Sequence, residues 1–297
     1  MVWFSYHGGH SGEFCGHAKG KLREVVERAV ALGFTTYGLS EHCPRLRQQD
    51  LYAEEAPLTP RDLQSLFSAY ILEASALKEE FRERIELLVG FETEALPEDD
   101  WAAQMRVIQQ QHTFDFFVGS VHSVNGTYID YKPEINQRLC AEMGGWDALC
   151  RAYFDQVAAL VSELKPNIAG HLDLIRRFRG QDVSFDATVW PSIERALTAV
   201  KEAGSLLELN ATPVRKDFGP VYPSLEILQR ARELEIPVTL SDDSHGPDVV
   251  GGALDACLSA LTHVGYQRVH YLSRGSDING PLQVLSAAIA DVRPQSR

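Results

Sequence analysis

Histidine dominates the chemistry open to this chain. The stretch SYHGGHSGEFCGHAKG (5–20) holds His7, His10 and His17, and further histidines close short apolar runs: His42 in TTYGLSEH, His122 in FDFFVGSVH, His171 in NIAGHLD and His245 in PVTLSDDSH. Two carboxylates occupy the same kind of position, Glu92 in IELLVGFETE and Asp243 in PVTLSDDSH. Imidazole nitrogen mixed with carboxylate oxygen suits zinc, manganese or iron, whereas calcium asks for oxygen alone. The seven histidines and two carboxylates are too many donors for one ion. With Glu92 bridging, they could hold three ions and leave positions for water and substrate, which is the arrangement of a multinuclear hydrolytic site.

The first pair raises a geometric problem. In a regular strand, His7 and His10, three residues apart, point to opposite faces. Gly8 and Gly9 permit a bulge or a positive φ that turns His10 back toward His7, so that both imidazoles reach one ion. The alternative is that His7 only ends the strand and His10 binds alone. His112, His263 and His270 lie in or beside helices or on a final strand, and are expected to be ordinary hydrogen-bonded side chains.

The elements that must position these donors follow from periodicity. Short, nearly continuous apolar runs read as strands: MVWFSYH, TTYGLSEH, IELLVGFETE, FDFFVGSVH, NIAGHLD, LLELNAT and PVTLSDDSH, with RVHYL as a possible last one. Amphipathic stretches lie between them: 21–33, about 62–83, PEDDWAAQMRVIQQQ, GWDALCRAYFDQVAALVSEL, WPSIERALTAVKEAG, PSLEILQRARELE and PDVVGGALDACLSALTHVG. Residues 44–60, with Pro44, Pro57 and Pro60, read as a long loop. This βα alternation, repeated about seven times, predicts an α/β barrel, with a doubly wound open sheet as the alternative. No phosphate-loop glycine fingerprint follows the first strand, which weakens that alternative. No break in composition marks a second domain, so residues 1–297 are expected to form one. In a parallel barrel every strand opens at its C-terminal end on one face, and the nine donors would meet there.

The 297 residues carry a formal charge of −13, which argues against a nucleic-acid or anionic-membrane partner. A solvated acidic surface is the simplest meaning of that charge. No apolar run has membrane-spanning length. The five cysteines form no CxxC, and with no secretory apolar region at the start a reducing cytoplasm is the expected setting. Cys15 and Cys43 lie beside histidines but read first as small core residues.

Taken in order, HSGEFCGHA, GLSEHCP, GFETE, GSVH, AGHLD, LELNATPVRK and LSDDSHGPDVVG resemble the histidinol-phosphatase branch of the polymerase-and-histidinol-phosphatase (PHP) family. Each motif alone is weak; the ordered set is specific and covers nearly the whole chain. The resemblance implies a distorted (β/α)7 barrel with a trinuclear metal centre. One ion would take His7, His10, Glu92 and Asp243. A second would share Glu92 and take His122 and His171, and a third would take His17, His42 and His245. The family usually has His-x-His in its first motif, and Gly8 stands where the first of those histidines would be. His7 fills that role only through the bulge.

The implied reaction is hydrolysis of L-histidinol phosphate to L-histidinol and phosphate, in histidine biosynthesis. A cation must then meet the phosphate, and arginine offers a planar fork suited to it. Arg215, just past LELNAT, is the first candidate and Arg176, after GHLD, the second, with Arg177 as an adjacent competitor. Asp243 and His245 are expected to serve the reaction as well as the metals. Another phosphoesterase of the superfamily, including a nuclease, or a non-catalytic metal-binding or regulatory protein are the alternatives.

Overall fold

A computed structural model describes residues 1–97, 99–180, 184–275, 277 and 280–293. Its centre is a seven-stranded parallel sheet in the order β1 (Phe4–Ser5), β2 (Thr36–His42), β3 (Glu86–Glu92), β4 (Val118–Gly119), β7 (Ile168–Ala169), β8 (Leu206–Asn210) and β9 (Val238–Ser241). Two short hairpin strands, β5 (Ser123–Val124) and β6 (Thr127–Tyr128), intervene after β4. The ends of the first and last strands are stitched together by a hydrogen bond from the Asp243 amide to the His7 carbonyl (2.8 Å). The Ser241 hydroxyl donates to the same carbonyl at 2.9 Å. The sheet is therefore a nearly closed α/β barrel, as the alternation predicts, and of the distorted (β/α)7 form that the family resemblance implies.

Helices fall where the periodicity places them: α1 (Leu22–Ala31), α2 (Pro60–Phe81), α3 (Trp101–Gln111), α5 (Trp146–Leu164), α6 (Trp190–Ala203), α8 (Leu225–Glu233) and α9 (Leu254–Val264). The ends have local causes. Thr59 and Asp62 cap α2 reciprocally, and Pro60 sits in its first turn, where it loses no helical hydrogen bond. Gly204 closes α6 in the left-handed conformation. α1 buries Leu22, Val25, Val26, Ala29 and Val30 against the barrel, roughly 1.5–3 kcal/mol for each larger side chain. The α3 stretch begins later than the sequence suggests, at Trp101, and its Glu98 lies outside the described residues.

Three departures bear on the site. The hairpin and α4 (Pro133–Glu142) are inserted between β4 and α5, and a single-turn α7 (Thr212–Arg215) follows β8. RVHYL forms β10 (Arg268–Ser273) but pairs antiparallel with β11 (Gln283–Ala288), outside the barrel sheet. It is tied to the barrel by Tyr6, whose buried hydroxyl donates to the Leu272 carbonyl (2.6 Å) and accepts from the Leu272 amide (2.9 Å). Among the described residues, no helix is long and apolar enough to cross a membrane.

Candidate metal centre

All nine donors converge at the C-terminal mouth of the barrel. Glu92, the last residue of β3, is buried at its centre. Its Oε1 lies 3.0 Å from His7 Nε2, 3.0 Å from His171 Nε2 and 3.2 Å from His122 Nε2, and its Oε2 lies 2.7 Å from His42 Nδ1. Beside this group, the His10 ring stacks 4.3 Å from those of both His42 and His245, and the His17 ring lies 5.0 Å from His245. Asp243 turns Oδ2 outward to Asn210 (3.0 Å) and Thr212 (3.1 Å), while Oδ1 is 3.5 Å from His245 and 4.0 Å from His7.

The His7–Gly8–Gly9–His10 turn solves the spacing problem. Gly8 and Gly9 have φ of +140° and +73°, conformations rarely open to other residues, and both histidines are buried in the same centre. His7 lies within ligand reach of Glu92 and His171, and within reach of His10 and Asp243.

The sequence reading missed the carboxylates that hold these rings. His7 Nδ1 donates to Glu208 Oε1 (2.7 Å), His10 Nδ1 to Glu41 Oε1 (2.9 Å) and His122 Nδ1 to Glu94 Oε2 (3.1 Å). His245 Nδ1 donates to the Asp243 carbonyl (3.1 Å). Each bond fixes the tautomer, leaving Nε2 as the lone-pair donor. Glu208 also accepts from the His171 amide, and Glu94 from Arg45 (3.3 Å), which is itself paired with Glu55. Alternation carries a signal for Glu94, two residues from Glu92; Glu208 sits mid-strand in LELN and Glu41 beside His42.

The residues fit divalent ions. His7 Nε2, His10 Nε2, both His42 nitrogens and Glu92 Oε2 are buried and make no well-aligned hydrogen bond among the described residues. Such atoms are costly unless something binds them. Cys15 adds a sulfur within ligand reach of His17, His42 and His245. Electrostatics divide the cluster. Burial disfavours a proton on His7, but Glu92, Glu208 and Asp243 outweigh it and raise its pKa well above the usual value. His42 and His122 are also raised against burial, chiefly by Glu92 and by Glu94 respectively. Burial opposes the charge of Glu92, yet His7, His122 and His42 hold it well below the ordinary carboxylate range. Burial, then His42 and His10, lower His17 to about 3, and burial with His10 lowers His245. Those two rings stay neutral, with a nitrogen lone pair open to a metal ion.

The centre opens into a cavity of about 490 Å³. Arg215 lines it, but its guanidinium is largely engaged, donating to the Asp242 carbonyl, to the Asp243 carbonyl (2.9 Å) and to Thr212 (3.2 Å). Arg176 corrects the sequence expectation. It is buried away from the lining, bound to Asp173 (2.7 Å) and to the Pro220 (3.1 Å) and Val221 carbonyls, with its guanidinium 4.6 Å from the centre of the Tyr222 ring. Its neighbour Arg177 lines the cavity in its place, and Lys216 joins it. Arg176 and Arg177, successive residues of a short 3-10 helix (Leu174–Phe178), face different ways, and sequence alone did not separate them. His112, His263 and His270 lie outside the centre: His112 packs on Phe67 and Phe114, His263 is in the last turn of α9 and His270 is on β10.

Known proteins resemble this chain in sequence and in fold. The sequence profile of the PHP domain matches residues 7–212. The chain belongs to the PHP domain family. The "Probable histidinol-phosphatase" of Schizosaccharomyces pombe is 36% identical over 276 residues, covering 91% of this chain and 90% of that PHP relative. The histidinol-phosphatase of Saccharomyces cerevisiae is 27% identical over 285 residues, covering 84% of this chain and 85% of that protein. Histidinol phosphate phosphatase from Lactococcus lactis subsp. lactis, solved with zinc, L-histidinol and phosphate, superimposes with a TM-score of 0.66 at 20% identity, covering 90% of this chain and 95% of that one.

Proposed function

We propose that this chain is a metal-dependent phosphomonoesterase that hydrolyses L-histidinol phosphate to L-histidinol and phosphate. The observation that carries the reading is Glu92, a buried carboxylate ringed by four imidazoles, opening on a cavity with cations on its wall. The 36% identical relative supports the choice of substrate. The residues that would hold the metals are His7, His10, Glu92 and Asp243 for one ion, Glu92, His122 and His171 for a second, and His17, His42 and His245 for a third, with zinc, manganese or iron as the occupants. Divalent ions there would supply positive charge to the phosphoryl oxygens and activate water.

The chain's own residues do the rest. Glu41, Glu94 and Glu208 hold imidazoles in register. Arg177 forms no ion pair among the described residues and faces the cavity, so its guanidinium is available to phosphate oxygens. Arg215 holds the Asp242–Asp243 backbone while bordering the same space. Asp243 and His245, which follow the last barrel strand, complete the donor set that begins at His7, which supports reading residues 1–297 as a single domain. Its partner is a small soluble substrate, with neither nucleic acid nor membrane, in the cytoplasm.

The test is metal analysis together with phosphate release from L-histidinol phosphate, other phosphomonoesters and single-stranded DNA. Activity should vanish on exhaustive chelation, return with zinc, manganese or iron, and favour L-histidinol phosphate. Equal rates on every monoester would point to a general phosphatase, and full activity without metal would overturn the reading.

A further inference from the structure

The cavity has a second polar feature that neither the metals nor the phosphate use. Asp130 lines it, and its Oδ1 is buried without a hydrogen-bond partner among the described residues. The other acidic group on that wall outside the metal centre, Glu54, is already engaged, 3.6 Å from His17 and accepting from the Tyr131 hydroxyl at 3.2 Å. Asp130 forms no ion pair among the described residues. A carboxylate oxygen removed from water and left unmatched is costly, and the cost is recovered when a cationic donor arrives.

The position of Asp130 is fixed by the inserted hairpin. Ser123 pairs with Tyr128 and Val124 with Thr127, and the Ile129 amide continues the ladder to the His122 carbonyl (2.9 Å). Ile129 is fully buried, and its own carbonyl accepts from Asn136 of α4 (2.8 Å). Asp130 is thus one residue from a backbone bond to His122, whose ring faces Glu92. The segment that carries this carboxylate is anchored on the metal centre itself. The cations Arg177, Arg215 and Lys216 border the same space, so the cavity presents a cationic wall and, at Asp130, a fixed unpaired anion.

We propose that Asp130 is a specificity-determining residue that accepts hydrogen bonds from the ammonium of the amino-alcohol phosphate. This rests on the histidinol phosphate reading and deepens it. L-Histidinol phosphate carries a phosphate at one end of a short chain and an ammonium on the next carbon. A metal-and-arginine phosphate site therefore leaves that ammonium close to the phosphate, where an acceptor is required. A site built to pair with a charged donor strongly rejects an analogue that lacks it, because the buried partner is then left unmatched.

The experiment compares wild type with Asp130→Asn on L-histidinol phosphate and on its des-amino analogue, 3-(imidazol-4-yl)propyl phosphate, with metal content measured on both proteins. Wild type should favour the amino substrate in kcat/KM by on the order of 10- to 100-fold. Asp130→Asn should lose most of that preference through KM, leave the des-amino reaction near wild type and keep its metals. In thermal-shift measurements, L-histidinol should stabilise wild type but not Asp130→Asn, while inorganic phosphate stabilises both. Wild type that treats the two esters alike, or a variant that keeps the full preference, overturns the role of Asp130 without touching the phosphatase reading. Failure of wild type to hydrolyse either ester overturns the phosphatase reading itself. If Asp130→Asn folds poorly, wild type that treats the two esters alike still overturns the role. Asp130→Glu, which keeps the charge, should retain part of the preference, and Asp130→Ala with its metals intact should lose it. Unchanged discrimination in a folded Asp130→Ala overturns the role.

Discussion

The Asp243 amide and the His7 carbonyl, 2.8 Å apart, close the barrel at the point where two proposed ligands of one ion emerge. Gly8 continues from that bond. Its carbonyl accepts from the Ser40 amide (3.0 Å), and a Cβ there would stand 2.7 Å from the Ser244 nitrogen. Gly8→Ala therefore combines a disfavoured φ with a clash against backbone. It should cost about 2 kcal/mol or more of stability and lower metal occupancy. Gly9→Ala should be milder, since its nearest contact is the flexible end of Leu39 (2.7 Å). Urea unfolding and metal stoichiometry test the order; a Gly8→Ala protein as stable and as fully loaded as wild type would contradict it.

What the sequence made legible and what it hid divide along physical lines. Strand ends are readable because apolar runs stop where polar ligands begin, and this placed His42, Glu92, His122 and His171 correctly in one mouth. The Gly8–Gly9 turn was readable because two glycines between two histidines have few other uses. Glu208 was not readable. It is buried mid-strand, and only the curvature of the barrel brings it to His7, 201 positions away. Arg176 and Arg177 could not be separated because a tight helical turn aims adjacent side chains apart. RVHYL was readable as a strand but not as one outside the barrel, since its partner lies ahead of it in the chain and pairs antiparallel.

Glu41, Glu94 and Glu208 should matter to metals they do not touch. Replacing each with Gln keeps the shape and removes the charge that orients an imidazole. Each variant should weaken metal binding by roughly 10- to 100-fold. Glu208→Gln should be the most damaging, because Glu208 holds both His7 and the His171 amide. Competitive chelator titration reads the affinity, and unaltered affinity in all three would remove their positioning role.

Metal uptake should release protons. Without metal, His7, His42 and His122 keep protons above the usual imidazole range, held by their carboxylate neighbours against burial. Groups raised in the folded state contribute stability that is complete below about pH 6.5 and is lost as pH rises through their folded values. The depressed carboxylates Glu92, Glu94 and Glu208 contribute stability present above their unfolded values and lost as pH falls through their folded ones. The metal-free protein should therefore lose Tm as pH rises above the usual imidazole range and through the raised values of these histidines, while the zinc-loaded protein falls less. Calorimetric zinc titration in two buffers of different ionisation enthalpy checks it, and a heat independent of buffer would refute the proton release.

Arg177 and Arg215 should separate by what they disturb. Arg177 faces the cavity with no ion pair among the described residues, so Arg177→Ala should raise KM and the inhibition constant of inorganic phosphate by on the order of 10- to 100-fold, with metal content unchanged. Arg177→Lys should recover only part of this, because a point charge cannot reproduce the planar fork. Arg215 holds the carbonyls of Asp242 and Asp243, the second a proposed ligand with a positive φ of 47°. Arg215→Ala frees that backbone, so it should lower metal occupancy as well as phosphate affinity. Metal analysis beside phosphate inhibition gives the answer. If Arg177→Ala lost metal and Arg215→Ala lost only phosphate affinity, the two roles would be reversed and Arg215 would be the phosphate clamp.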